Sequence, residues 1–171
     1  MGIVSIWWKG TDMGLDMYLT AEKYISGYSD IDRRDRVVEA VGVHPPLRQD
    51  GESSATVTIS VAYWRKANAI HEWFVREAQD GNDDCQKHFV SVQSLKELVA
   101  TCEDLLAKRD PEEAADVLPT ADGFFFGSTD YDDWYWDCLE ETVTQLKPLV
   151  EWFDSDEGNV LVWDLYYQSS W

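Results

Sequence analysis

This chain of 171 residues predicts an α+β fold, with a small, mostly antiparallel sheet packed against about three main helices in a single compact domain. Three observations carry that expectation. Residues 54–64, SATVTISVAYW, are rich in β-branched side chains and alternate with the period of a half-buried strand. Stretches at 66–79, 92–108 and 130–153 instead repeat apolar residues at helical spacing. Strand-like pieces stand at both ends and in the middle of the chain, which does not fit the regular alternation of a parallel α/β sheet.

MGLDMYL (13–19) alternates passably and is expected to be a strand. Residues 21–53 are polar, contain Gly27, Pro45, Pro46 and Gly51, and read mainly as loop, with a short strand within RVVEAVGVH (36–44). The helix over 66–79 rests on Ala67, Ile70, Phe74 and Ala78 and is stopped by DGNDD at 80–84. His88–Val90 reads as a short extended piece. Ser91 is expected to cap the helix over 92–108, whose apolar stripe is Leu95, Leu98, Cys102, Leu105 and Leu106. Asp110, Pro111, Glu112 and Glu113 supply a cap, a first-turn proline and two acids, so a short helix starts there and ends before Leu118–Pro119. GFFFG (123–127) reads as a tight, buried turn or hairpin. Thr129, with Asp132 three residues on, is expected to cap the helix over 130–153. The stripe of that helix is Tyr135, Leu139, Val143, Leu146, Val150 and Phe153, and Pro148 predicts a kink or an early end. NVLVWDLYYQSSW (159–171) closes the chain as a strand.

The charge points to function more strongly than any motif. The chain has 33 acidic against 14 basic residues, a formal net charge of -19. Residues 1–110 carry 18 acids and 13 bases, whereas 111–171 carry 15 acids and a single base, Lys147. Such a field repels nucleic-acid backbone and anionic membrane and attracts protein surfaces rich in Lys and Arg. Tight duplex binding and membrane association are therefore not expected. A partner with a basic surface is. The plain alternative is acidity that serves solubility alone. With 9 Trp, 8 Tyr and 6 Phe, the chain has the means to build a core despite its charge.

Cys85, Cys102 and Cys138 are odd in number and form no CxxC pair, which fits free thiols in a reducing compartment. No basic leader precedes the short apolar run IVSIWW, and no stretch reaches 18 apolar residues. Ile6 stands where an N-terminal acylation signal needs Ser or Thr. The expectation is a cytoplasmic protein with no cofactor and no metal. DGNDD lacks the alternating ligands and closing Glu of a calcium loop. Phosphate-binding GxxxxGK and GxGxxG, zinc-binding HExxH and the nucleophile turn GxSxG are all absent from the sequence.

Two constellations remain. The first is acidic and aromatic: Asp130, Asp132, Asp133 and Asp137 are interleaved with Trp134 and Trp136 and followed by Glu140 and Glu141, then Glu151 and Trp152. Asp132–Trp136–Glu140 and Asp133–Asp137–Glu141 form two neighbouring rows at four-residue spacing. Like charges at that spacing destabilise a helix slightly, so the face is expected to meet a basic partner; a solvated helix face is the alternative. The second is a candidate pocket of Trp64, Arg65, Asn68 and His71 on one side of the helix after the central strand, joined by Asp83, Asp84 and Cys85. It would serve a small ligand or a nucleotide. Against it stands a face packed under the C-terminal helix with its histidine hydrogen-bonded.

MGLDMYL (13–19), YWRKANAIHEWFV (63–75), LPTADGFFFGSTDYDDWYWDCLEET (118–142) and YYQSSW (166–171) resemble a widespread family of small proteins encoded by bacteriophages and prophages. Members typically begin at the first of these pieces, so the resemblance implies that residues 1–12 are an N-terminal extension and 13–171 a single domain. The resemblance implies a phage accessory protein in a bacterial host cell, a setting in which small acidic proteins often block host defences such as CRISPR. It carries over no active site.

Overall fold

The computed structural model describes residues 14–171 apart from 43, 45, 49, 124, 157 and 159–162. The expected extension at 1–12 and the first residues of the expected last strand lie outside the described residues. The elements run β1 (Asp16–Ile25), α1 (Ile31–Val41), β2 (Ala55–Arg65), α2 (Asn68–Ala78), β3 (His88–Val90), α3 (Val92–Lys108), α4 (Pro111–Val117), α5 (Asp133–Asp154) and β4 (Asp164–Ser170). The fold is α+β. Among the described residues four strands form one sheet in the order β2-β1-β4-β3, antiparallel throughout.

One face of the sheet is apolar. Met17, Leu19 and Ala21 of β1 and Leu165 and Tyr167 of β4 are buried with Ile70 and Phe74 of α2, Leu98 of α3 and Leu139 and Leu146 of α5 in one core. The alternate residues face outward as period 2 requires, and this face carries the Tyr18–Tyr63 pair and the Phe89–Tyr166 pair. Lys87 covers Tyr166 at 4.5 Å and reaches Glu22 at 2.8 Å. A bulge after Leu19 leaves Val61 of β2 without a register partner. At the outer edge of β2, the Gln145 carboxamide accepts from the Tyr63 N–H and donates to the Tyr63 carbonyl, both at 2.9 Å.

Both expected caps before α5 hold: Ser91 accepts from Ser94 N–H in front of α3, and Asp110 accepts from Glu112 N–H in front of α4. Three expectations are corrected. Residues 31–41, read as loop with a short strand, form α1. Its anchor is Arg34, 6% exposed, whose guanidinium donates to the Ser53 carbonyl at 2.8 Å and the Gly51 carbonyl at 3.2 Å. Beside it, Gly27 lies so close to Ser53 that an added Cβ would stand 2.1 Å from that carbonyl oxygen. The cap of α5 is Asp132, accepting from Tyr135 N–H at 3.3 Å, and not Thr129. Of the kink or early end expected at Pro148, the early end does not occur, and α5 continues to Asp154. Leu146 and Val150 are buried on either side of the proline, and that burial outweighs one lost backbone bond. The expected GFFFG turn is closed by Phe126 N–H donating to Gly123 O at 3.1 Å, with Phe124 outside the described residues. No helix among the described residues is long and apolar enough to cross a membrane.

Candidate functional site

Lys66, at φ 55°, turns the chain from β2 into α2 and divides the expected pocket residues. Trp64 is wholly buried and its indole donates to Thr142 Oγ1 at 2.9 Å, beneath α5. Arg65 is exposed, with its guanidinium beside Gly14. Neither meets His71. Asn68 is buried and donates to the Phe126 and Ser128 carbonyls at 3.1 and 2.7 Å, so it fixes the 123–128 turn over α2 rather than facing a ligand.

His71 and Asp83 do converge. Imidazole Nε2 lies 2.9 Å from Asp83 Oδ2 and Nδ1 lies 2.7 Å from the Tyr167 hydroxyl, with the ring 1% exposed. A carboxylate can only accept, so Nε2 donates to Asp83, and in the neutral ring Nδ1 accepts from the tyrosine hydroxyl. Ser169 Oγ stands 3.5 Å from the other Asp83 oxygen. The chain Tyr167–His71–Asp83 thus ties β4, α2 and the 82–85 loop together. His71 and the Tyr167 hydroxyl it meets are both buried away from solvent, so the pair serves to hold Asp83 in place.

Asp84 folds the loop locally, accepting from Gln86 N–H and pairing with His88 Nε2, each at 2.9 Å. Cys85 is half-buried at φ 56°. Burial, with help from the Asp83 charge, raises its thiol pKa, the wrong direction for a nucleophile. Burial also pushes Cys102 and Cys138 up to about 12, and all three thiols are free. A maleimide at pH 7 should therefore modify the native protein slowly and at Cys85 alone. Fast labelling, or labelling at Cys102 or Cys138 without denaturant, would contradict these environments.

Beyond the His71–Asp83 pair lies a cavity of about 620 Å³ between α2 and the 121–126 turn. Glu72, Asp83 and Asp122 line it with Phe126 and Trp171. His71 and Phe126 meet edge-to-face at 5.0 Å, and Phe126 meets Trp171 at 6.0 Å. Among the described residues the one Lys or Arg in the lining is Arg76, whose Nε is bonded to Glu77 at 3.2 Å. Sequence reasoning missed Glu72, Asp122, Phe126 and Trp171 as cavity walls. The signal lay in GFFFG, whose aromatic density exceeds what a turn needs.

On α5 the two acidic rows separate. Asp132 serves as the cap, Trp136 is 6% exposed, and Glu140 pairs with Arg109 at 2.7 Å while that guanidinium sits 5.9 Å from the Trp136 ring. That row is packed against the end of α3, which corrects the expectation of Trp136 as a contact residue. Asp133, Asp137 and Glu141 are exposed and form no ion pair among the described residues. Asp130 and Glu151 are also exposed. Trp134, 49% exposed, flanks the free row and donates to Lys66 O at 3.3 Å. Trp152 is half-buried and lines a separate apolar groove of about 260 Å³ with Ile59, Leu149 and Trp163. No known protein family, curated protein or solved structure matches the chain.

Proposed function

We propose that this chain is a non-enzymatic accessory protein that binds a basic, nucleic-acid-handling surface of another protein, using the exposed Asp133–Asp137–Glu141 row of α5 in place of phosphates. The observation that carries the reading is the inequality between the two rows. One is consumed by capping, burial and Arg109, while the other stays charged, exposed and flanked by Trp134. Three uncompensated carboxylates along one helix cost the free protein a few tenths of a kcal/mol per pair. A partner's Lys or Arg at matching positions recovers that cost. The resemblance to phage and prophage proteins supports a partner in a bacterial host, with a defence complex such as CRISPR as the leading class. Direct duplex binding is disfavoured: Arg34 is buried, Arg33 pairs with Asp30 and Arg48 with Asp50.

The test is capture of the partner from host extract, followed by salt titration and charge reversal. Binding should fall steeply between about 0.05 and 0.5 M salt as the Debye length contracts. Asp133→Lys with Asp137→Lys should weaken the complex about tenfold or more, whereas Glu39→Lys with Asp116→Lys, also exposed, should leave it near wild type. Equal tolerance of both pairs by a protein that still captures its partner would sink the phosphate-surrogate reading.

A further inference from the structure

The geometry points to the cavity beside the His71–Asp83 pair as a binding site for a cationic group, a guanidinium or an ammonium. Its walls satisfy the two requirements of such a site together. Aromatic rings come from Phe126, buried at 9% exposure, and Trp171, half exposed, which line the cavity and meet edge-to-face at 70°. Trp and Phe rings attract cations through their negative faces, most strongly where water is thinned. Negative charge comes from Glu72, Asp83 and Asp122, which reach the cavity from α2, the 82–85 loop and the 121–126 turn.

These carboxylates are not the debris of helix capping. Asp83 is held at a fixed position by His71 at 2.9 Å, and His71 in turn by Tyr167 at 2.7 Å. Glu72 and Asp122 form no ion pair among the described residues, and Arg76 is bonded to Glu77 at 3.2 Å. The lining therefore carries unbalanced negative charge around an aromatic pair, and a volume of about 620 Å³ lies within the range of small-molecule sites, roughly 300–1,000 Å³. A phosphate would meet three carboxylates here, so a nucleotide is the wrong chemistry. The same cation can arrive as an arginine or lysine side chain of a protein or as a free amine. This site goes beyond the α5 reading, since no α5 residue lines it.

The experiment is a titration with N-acetyl-arginine amide, read by the indole NMR signal of Trp171, which Trp171→Phe assigns. Its uncharged counterpart, N-acetyl-citrulline amide, is the control. A saturable shift with the arginine compound, at least about tenfold weaker with citrulline, is expected. Glu72→Gln with Asp122→Asn should weaken the arginine compound about tenfold while leaving the thermal midpoint unchanged, because neither side chain is buried. Agmatine binding more tightly than an arginine-containing peptide would assign a free amine, and the reverse order a partner's side chain. No saturable shift, or equal shifts with arginine and citrulline compounds, would overturn the site. Asp133→Lys with Asp137→Lys should leave this titration unchanged, so it fails or succeeds independently of the α5 face.

Discussion

Trp64→Ala is expected to lower the unfolding free energy by about 3–5 kcal/mol, the range for truncating a large aromatic in a packed core. The side chain is wholly buried, with its ring 5.7 Å from Phe74, and its indole N–H donates to Thr142 Oγ1 at 2.9 Å. Thr142 sits on α5 and its hydroxyl donates in turn to the Cys138 carbonyl at 2.7 Å, so one tryptophan joins the edge strand to the longest helix. Trp64→Phe separates the contributions. It keeps an aromatic ring and leaves Thr142 its Cys138 bond, and should cost clearly less than the alanine variant. Guanidinium unfolding midpoints would measure both. Since a domain's whole stability is about 5–15 kcal/mol, the alanine variant should unfold near ordinary temperatures if the wild type lies at the lower end. A loss below about 1 kcal/mol would show that the strand-to-helix junction is not packed as described.

The second large effect is alkaline destabilisation. Burial raises Cys102 and Cys138 to about 12 and raises Tyr135 and Tyr167 above the ordinary phenol value. When a folded pKa lies above the unfolded one, the unfolded chain releases its proton first as pH rises. The contribution is therefore complete below the unfolded pKa and is lost as pH climbs through the folded one. For the two cysteines the window opens near pH 9 and extends to about 12. Within it, each thiol lowers stability by roughly 1.4 kcal/mol for every step of one in pH, so by about pH 11 the pair alone should remove about 5 kcal/mol. The tyrosines add to the loss from pH 10 upward. Unfolding free energies between about pH 8 and 11 would measure the slope, and Cys102→Ala with Cys138→Ala should flatten it. A wild-type profile level across that range would refute the burial of these thiols.

The helices on the apolar side were legible because their information is local. Leu95, Leu98, Cys102 and Leu105 repeat at the helical period behind a serine cap, and Asp110–Pro111 announces α4 in two residues. The opposite holds for α1. IDRRDRVVEAV is dominated by charge, and its single buried residue is Arg34, which reaches carbonyls 17 and 19 residues away. No window-based pattern contains such a bond. The acidic face was half legible: four-residue spacing defined two rows, but only the packing of α5 on α3 shows which is covered. The pocket was legible as His71 and Asp83 and no further. Trp64 reads in sequence as one helical face with Asn68 and His71, yet the break at Lys66 leaves it on β2 beneath α5, while Asn68 stays on α2 and spends its amide on the 123–128 turn.

The Gln145 carboxamide at the rim of β2 has a consequence for self-assembly. An edge strand is a template on which a second chain can add, and β-rich proteins blunt such edges to avoid fibril growth. Gln145 occupies the donor and acceptor of Tyr63 with one side chain, as a single rung of a fifth strand would. The bulge at Val61, only two residues away, disturbs the straight register an added chain would need. The middle of α5 thus stands guard over the sheet it packs on, and releasing that one carboxamide would expose the template.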